Sequence, residues 1–269
     1  MIIDAHHHLL NLKDYLPRLL EESARLGIDR VCVSALSDFP LLFSDGTDLP
    51  GTVSNDDVQR AFEQHPDRIV GFGYFRLGRD DPGLVDQLHA RGFKAIKVTR
   101  PTANYDDPSY HPVYERAERL GMPILFHTGM LVRTADDARY GASSARMRPV
   151  FLDTVARAFP GLNLIAAHLG VPWHVEAAEV ARFNPNVYLD LTGAKGGWRS
   201  RKSISFYDEL FFWPRAYEKI VFGTDVHWSE MEWVLWDQRR IFDDLHLDQE
   251  TQGKIFGGTM AKLLGLETE

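Results

Sequence analysis

Residues 69–75 read IVGFGYF, seven positions in a row without a charged or strongly polar side chain. A strand with one wet face alternates apolar and polar residues, whereas a strand apolar throughout is covered on both faces, as in parallel sheets flanked by helices. Runs of the same kind recur at MIID (1–4), RVCVSA (30–35), FKAIKV (93–98), PILFH (123–127), LNLIAAH (162–168), VYLDL (187–191) and KIVFG (219–223). Between most of them lie helical patterns: LPRLLEESARLG, NDDVQRAFEQH, PGLVDQLHARG, HPVYERAERLG, RPVFLDTVARAF and WHVEAAEVARF. Several end in Gly, or in Asn or Pro just beyond, which suits a helix stop. Eight strand–helix units in a chain of this size predict a (β/α)8 TIM barrel, an α/β fold in one domain spanning 1–269. The competing doubly wound open sheet lacks a Gly-rich phosphate loop after its first strand.

The bulk character narrows the function classes. The 269 residues carry a net charge of -8 and no dense Lys/Arg block, which argues against a nucleic-acid surface. No apolar stretch reaches the length of a membrane span, and the N-terminus lacks a basic region followed by a long apolar core. The single cysteine, Cys32, lies inside an apolar run and reads as packing. A cytoplasmic enzyme is the expected class. Two connections exceed what a crossover needs, SDFPLLFSDGTDLPGTVS (37–54) after strand 2 and TGMLVRTADDARYGASSARM (128–147) after strand 5. Segments at that end of a barrel shape the active site.

The polar residues fall in a pattern. In DAHHHL (4–9), alternation along a strand sends His6 and His8 to one face and His7 to the other. Lys97 stands near the end of strand 4, His127 ends strand 5, His168 ends strand 6, and Asp225 follows strand 8. Each alone has a bland reading as a satisfied core or loop residue. In a closed barrel all of them converge on one volume, which predicts a metal site. Imidazoles with a carboxylate suit Zn2+ first, and Mn2+ or Fe2+ less selectively. A cation there lowers the pKa of water toward about 7 and polarises a carbonyl.

These residues resemble the amidohydrolase superfamily: D-x-H-x-H at Asp4, His6 and His8, then His127, His168 and Asp225 in order. Within it the chain is similar to the amidohydrolase 2 branch, with its decarboxylases of the aminocarboxymuconate type and its TIM-barrel hydrolases. The supporting strings include HPDRIVGFG, GFKAIKV, AAHLGVPWHVEAAEVARFNPNVYLDLTG, IVFGTDVHW and KIFGGTMAKLLGL. The resemblance implies that His6, His8, His127 and Asp225 hold the metal and that His168 and Asp225 are catalytic. With two ions, His168 and a carboxylated Lys97 join the ligands; one ion is the preferred reading. Two departures stand out: Thr259 where the branch has Asn, and Val226-His227-Trp228 where an aromatic-Pro pair follows the aspartate.

Arginines crowd the loops expected at the site: Arg76, Arg100, Arg133, Arg139, Arg146 and Arg148, with Lys195, Arg199, Arg201 and Lys202 after strand 7. Guanidinium binds carboxylate in a bidentate way, so a small anionic substrate is expected, touched by one or two of Arg76, Arg100 and Arg133. Trp198, Tyr140, His227 and Trp228 offer an aromatic wall. Most of the other arginines are expected to pair with Asp136, Asp137 and neighbours. The leading expectation is hydrolysis of a small carboxylated lactone, amide or ester, with Asp225 as general base. Non-oxidative decarboxylation of a small unsaturated or aromatic acid uses the same groups. An inactive ligand-binding barrel is the third reading. FYDELFFW (206–213) fits either a helix on the barrel or a homodimer contact.

Overall fold

The structure is a computed structural model and describes residues 1–36, 41–42, 48–49, 52–134 and 137–266. Eight parallel strands form one sheet in sequential order: β1 (Ile3–Leu9), β2 (Arg30–Ala35), β3 (Ile69–Phe75), β4 (Ala95–Val98), β5 (Ile124–Phe126), β6 (Leu164–Ala166), β7 (Val187–Asp190) and β8 (Ile220–Val221). The ring closes where the Ala5 amide donates to the Phe222 carbonyl (2.9 Å) and the Asp225 amide to the His6 carbonyl (2.8 Å). This is a TIM barrel. Much of the long segment after β2 lies outside the described residues; Leu41–Leu42 and Asp48–Leu49 in it form a small antiparallel hairpin.

Strand alternation sorts the core into two shells. Val31, Ile69, Ile96, Val98, Ile124, Phe126 and Leu164 point outward into the layer shared with the helices. Ile3, Ala5, Cys32, Val70, Phe72, Ala95, Leu125, Ile165 and Val221 point inward and fill the barrel, with Met260 and Ala261 from the last helix closing the lower end. Position i+2 continues the inward face, so Ala95 leads to Lys97 and Leu125 to His127. The apolar floor and the polar mouth are therefore successive layers of the same strands.

The helices follow the sequence pattern closely, for example α1 (Tyr15–Arg25), α2 (Asn55–Gln64) and α3 (Leu84–Ala90). α2 starts with a reciprocal capping box: Ser54 Oγ accepts from the Asp57 amide, and the Asp57 carboxylate accepts from the Ser54 amide. That satisfies two amides at the helix start that have no partner within the helix. Gly71 in β3 is required by packing, since a Cβ there would lie 2.3 Å from the Phe62 ring of α2. No helix among the described residues is long and apolar enough to cross a membrane.

Candidate metal centre

The C-terminal mouth of the barrel brings together His6 and His8 of β1, Lys97 of β4, and His127, His168 and Asp225 just beyond β5, β6 and β8. β1 achieves this with a register shift between Asp4 and His7 against β2. The extra residue lets Ile3 and Ala5 fill the barrel below while His6 and His8, of opposite parity, still turn inward above. His168 and Asp225 both adopt left-handed backbone conformations, at φ 58° and 49°. Such strain in non-glycine residues persists only where the surroundings hold it. For Asp225 the holding contacts are its own amide on the His6 carbonyl (2.8 Å) and the neighbouring Thr224 amide on Asp4 (3.0 Å).

Proton bookkeeping fixes the tautomers. His6 Nδ1 lies 2.7 Å from Asp190, so it carries the proton and Nε2 turns its lone pair to the centre. Thr192 Oγ1 donates to Asp190 (2.5 Å) and so accepts from His168 Nδ1 (2.7 Å), leaving His168 Nε2 as an acceptor. His8 Nδ1 faces the Ala35 carbonyl (3.3 Å), and His127 Nε2 faces the Met130 carbonyl (3.4 Å), each of which only accepts. Four lone pairs and one carboxylate then point at one another. His8 Nε2 is 3.3 Å from Asp225, His127 Nδ1 is 3.2 Å from His168 Nε2, and the latter is 3.6 Å from Asp225. Lys97, whose ammonium donates to His6 Nε2 at 2.7 Å, supplies the one positive charge seen among these contacts.

Such acceptor–acceptor contacts are repulsive unless a cation or proton lies between them. Ligand atoms each about 2.0–2.2 Å from one ion lie roughly 3–3.6 Å apart, a spacing that the His8–Asp225, His127–His168 and His168–Asp225 pairs match. Ligand atoms of His6, His168 and Asp225 lie within 4.8 Å of one another. Burial pushes the His6 imidazole down to about 3 and the His168 imidazole to about 4, with Lys97 adding to both shifts. His8 and His127 are likewise held well below the usual histidine range, chiefly by burial. All four rings are therefore neutral at pH 7, the form that ligates metals. Burial lowers the Lys97 amine and raises the Asp225 carboxyl. Burial alone would raise Asp190 too, but His6, His168 and Thr192 outweigh it and hold that carboxylate well below its ordinary range.

The residues expected to contact substrate are dispersed. Arg76 hydrogen-bonds Asp80 through Nε (2.8 Å). Arg100 is buried and reaches the Val132 carbonyl (2.8 Å) and Asp137 (3.4 Å), tying the strand-5 loop to β4. Arg133 is exposed. Trp198 donates its indole N–H to the Thr192 carbonyl (2.9 Å) and packs against the His174 ring at a tilt of 38°. His227 and Trp228 pack together, with His227 also against Tyr15. Thr259 starts a short helix at the opposite end of the barrel from this cluster. Asp136 and the side chains of Arg139 and Tyr140 lie outside the described residues. The sequence reading missed Asp190, Thr192 and Thr224, although Asp190 obeys the strand-end rule that found the histidines. It also missed Arg199 as a buried partner of Asp237 (3.0 Å) rather than a loop charge.

Comparison with known proteins adds to this geometry. The family model described as Amidohydrolase (Amidohydro_2) matches residues 3–266. The 2-amino-3-carboxymuconate-6-semialdehyde decarboxylase of Dictyostelium discoideum is 21% identical over 276 residues, covering 90% of this chain and 75% of that protein. An uncharacterised TIM-barrel protein of Bordetella bronchiseptica superposes with a TM-score of 0.70 at 19% identity, over 98% of both chains. A probable 2-pyrone-4,6-dicarboxylic acid hydrolase of Acinetobacter baumannii gives 0.64 at 14% identity, over 98% of this chain and 99% of that one. A 5-carboxyvanillate decarboxylase of Novosphingobium aromaticivorans, complexed with manganese and a nitrobenzoic acid, gives 0.59 at 17% identity, over 93% of this chain and 80% of that one.

Proposed function

The chain belongs to the amidohydrolase family, and on that footing we propose that this enzyme is a metal-dependent decarboxylase of a small unsaturated or aromatic carboxylic acid. The observation that carries the metal half of the reading is the set of inward acceptors at the mouth, with His6, His168 and Asp225 within 4.8 Å of one another. His6, His8, His127 and Asp225 would hold one divalent cation, Zn2+ or Mn2+. His168 stands at its edge. A cation so held supplies Lewis acidity, lowering the pKa of coordinated water and polarising a substrate oxygen.

The protein's own groups supply orientation and proton handling. Asp190 receives the His6 proton and, through Thr192, sets the His168 ring. With Nδ1 engaged, His168 takes and gives a proton at Nε2, the nitrogen that faces the cluster. In decarboxylation the bond to the departing CO2 breaks, its electron pair stays on the substrate carbon, and that carbon takes a proton. His168 Nε2, an acceptor at rest, is the group proposed to take that proton from solvent and pass it to the carbon, so that the carboxylate and one solvent proton become the new carbon–hydrogen bond and CO2. Arg100, buried beside His127, is the proposed partner of a second substrate carboxylate or phenolate, with Trp198, His227 and Trp228 as the apolar wall. Arg76 and Arg133 lie farther out as secondary candidates.

The reaction type is supported by the decarboxylase names of the curated relative and of the manganese-containing structural neighbour. Hydrolysis of a carboxylated lactone is the second reading, favoured by the similarity to a pyrone dicarboxylate hydrolase along almost the whole chain. A panel of benzoic, muconic and pyrone carboxylic acids, assayed for CO2 release and for ring opening with added Zn2+ or Mn2+, separates the two. CO2 release without ring opening supports decarboxylation; ring opening without CO2 replaces it with hydrolysis.

A further inference from the structure

His7 turns away from the metal cluster, yet it is 1% exposed and hydrogen-bonded at both ring nitrogens. Its neighbours fix every proton in the chain of contacts. Thr224 Oγ1 donates to Asp4 Oδ2 at 2.6 Å, so that oxygen accepts from His7 Nδ1 at 2.9 Å. Nε2 is then an acceptor, and the Tyr15 hydroxyl donates to it at 3.0 Å. The result is one directed relay from Tyr15 through His7 and Thr224 to Asp4. The Tyr15 ring also stacks on His7 and meets His227 edge-on.

Contacts of this relay flank Asp225: Thr224 precedes it, His227, whose ring meets Tyr15 edge-on, follows two residues later, and Asp225 itself is held at φ 49°. We propose that His7 is a positioning residue, a two-armed clamp from β1 that fixes the 224–227 segment and so sets the Asp225 carboxylate against the histidines. This rests on the reading of Asp225 as a metal-site residue. One arm, Nδ1 to Thr224, controls Asp225; the other, Nε2 to Tyr15, holds the ring that packs against His227 at the mouth.

The arms can be cut separately. An asparagine places its amide where Nδ1 was and keeps the Thr224 arm; a glutamine reaches where Nε2 was and keeps the Tyr15 arm. His7→Gln is expected to weaken Mn2+ or Zn2+ binding about tenfold, the lower end of the effect seen for outer-shell partners of metal ligands. Amide exchange over 221–231 is expected to speed up by about three- to tenfold, as for the loss of one hydrogen bond. Thr224→Val cuts the same arm from the other side, together with the Thr224–Asp4 bond, and is expected to weaken cation binding at least as much as His7→Gln, which keeps the test valid if one variant folds poorly. His7→Asn is expected to keep cation affinity within about threefold of wild type. A purely structural role would move His7→Gln and His7→Asn together. Equal behaviour of the two, or wild-type exchange and affinity in both His7→Gln and Thr224→Val, overturns the inference. Exchange needs no cation, so a wild-type protein that binds none contradicts the proposed function and leaves the exchange test of His7 decisive.

Discussion

At the scale of the residue, the decisive fact is which nitrogen of each histidine carries a proton. Two carbonyls, Asp190 and the Thr192 hydroxyl take the outer N–H groups of His8, His127, His6 and His168, so the inner nitrogens are acceptors. That ranks the substitutions. His6→Ala removes a donor from the centre and is expected to abolish stoichiometric metal binding. His168→Asn is expected to retain the cation within about tenfold while turnover collapses, because the ring acts on substrate. Loss of the cation in that variant would make His168 a ligand instead, a role that its place within 4.8 Å of the donor atoms of His6 and Asp225 allows. His127 and His168 were legible because each ends an apolar run, where a lone polar residue is conspicuous, and His6, His8 and Asp225 because they stand at the same end of their strands. Asp190 was equally conspicuous in VYLDL and was passed over as one more strand residue. Thr192 and Thr224 left no mark, since an ordinary hydroxyl acquires meaning only from the proton it passes on.

At the scale of the element, periodicity carried the barrel: all eight apolar runs are strands, because burial on both faces forbids polar positions over several residues. Alternation by itself gave the right faces for His6 and His8 but no hint of the bulge that also turns Ile3 and Ala5 inward. A register irregularity is a property of two strands, and one sequence run does not display it. The helices Ile204–Leu210 and Met231–Asp244 were not clearly read, their aromatic residues blurring the apolar stripe. Close packing between elements gives a direct test. At Gly223 an added Cβ would lie 2.9 Å from both the His6 Cβ and the Thr192 methyl, where β8 presses between β1 and β7. Gly223→Ala is expected to cost about 1–3 kcal/mol and lower Tm by several degrees, read by thermal unfolding. The buried Arg199–Asp237 pair joins the strand-7 loop to helix Met231–Asp244. Asp237→Ala strands a guanidinium and is expected to cost about 3–5 kcal/mol, measured by denaturant unfolding.

At the scale of the whole molecule, the barrel is an apolar floor carrying a polar mouth whose acceptors repel one another without a cation. The metal-stripped protein should be acid-sensitive in a definite direction. Its buried histidines titrate below their unfolded value of about 6.5, with His6 near 3 and His168 near 4. Between those values the unfolded chain binds more protons, so stability is full above about pH 6.5 and falls as pH drops toward 4. Denaturant midpoints of the stripped protein between pH 7 and 4 check the sign. Conversely, a cation at a hundred times its Kd should add about 2.7 kcal/mol. The central claim, that these convergent side chains form a metal centre, is tested most directly by metal content per chain. Wild-type protein produced with Zn2+ and Mn2+ supplied, then dialysed against metal-free buffer, should retain close to one divalent ion, and His6→Ala and Asp225→Asn should retain almost none. Wild-type protein with no bound ion, or variants that keep the full complement, would contradict it.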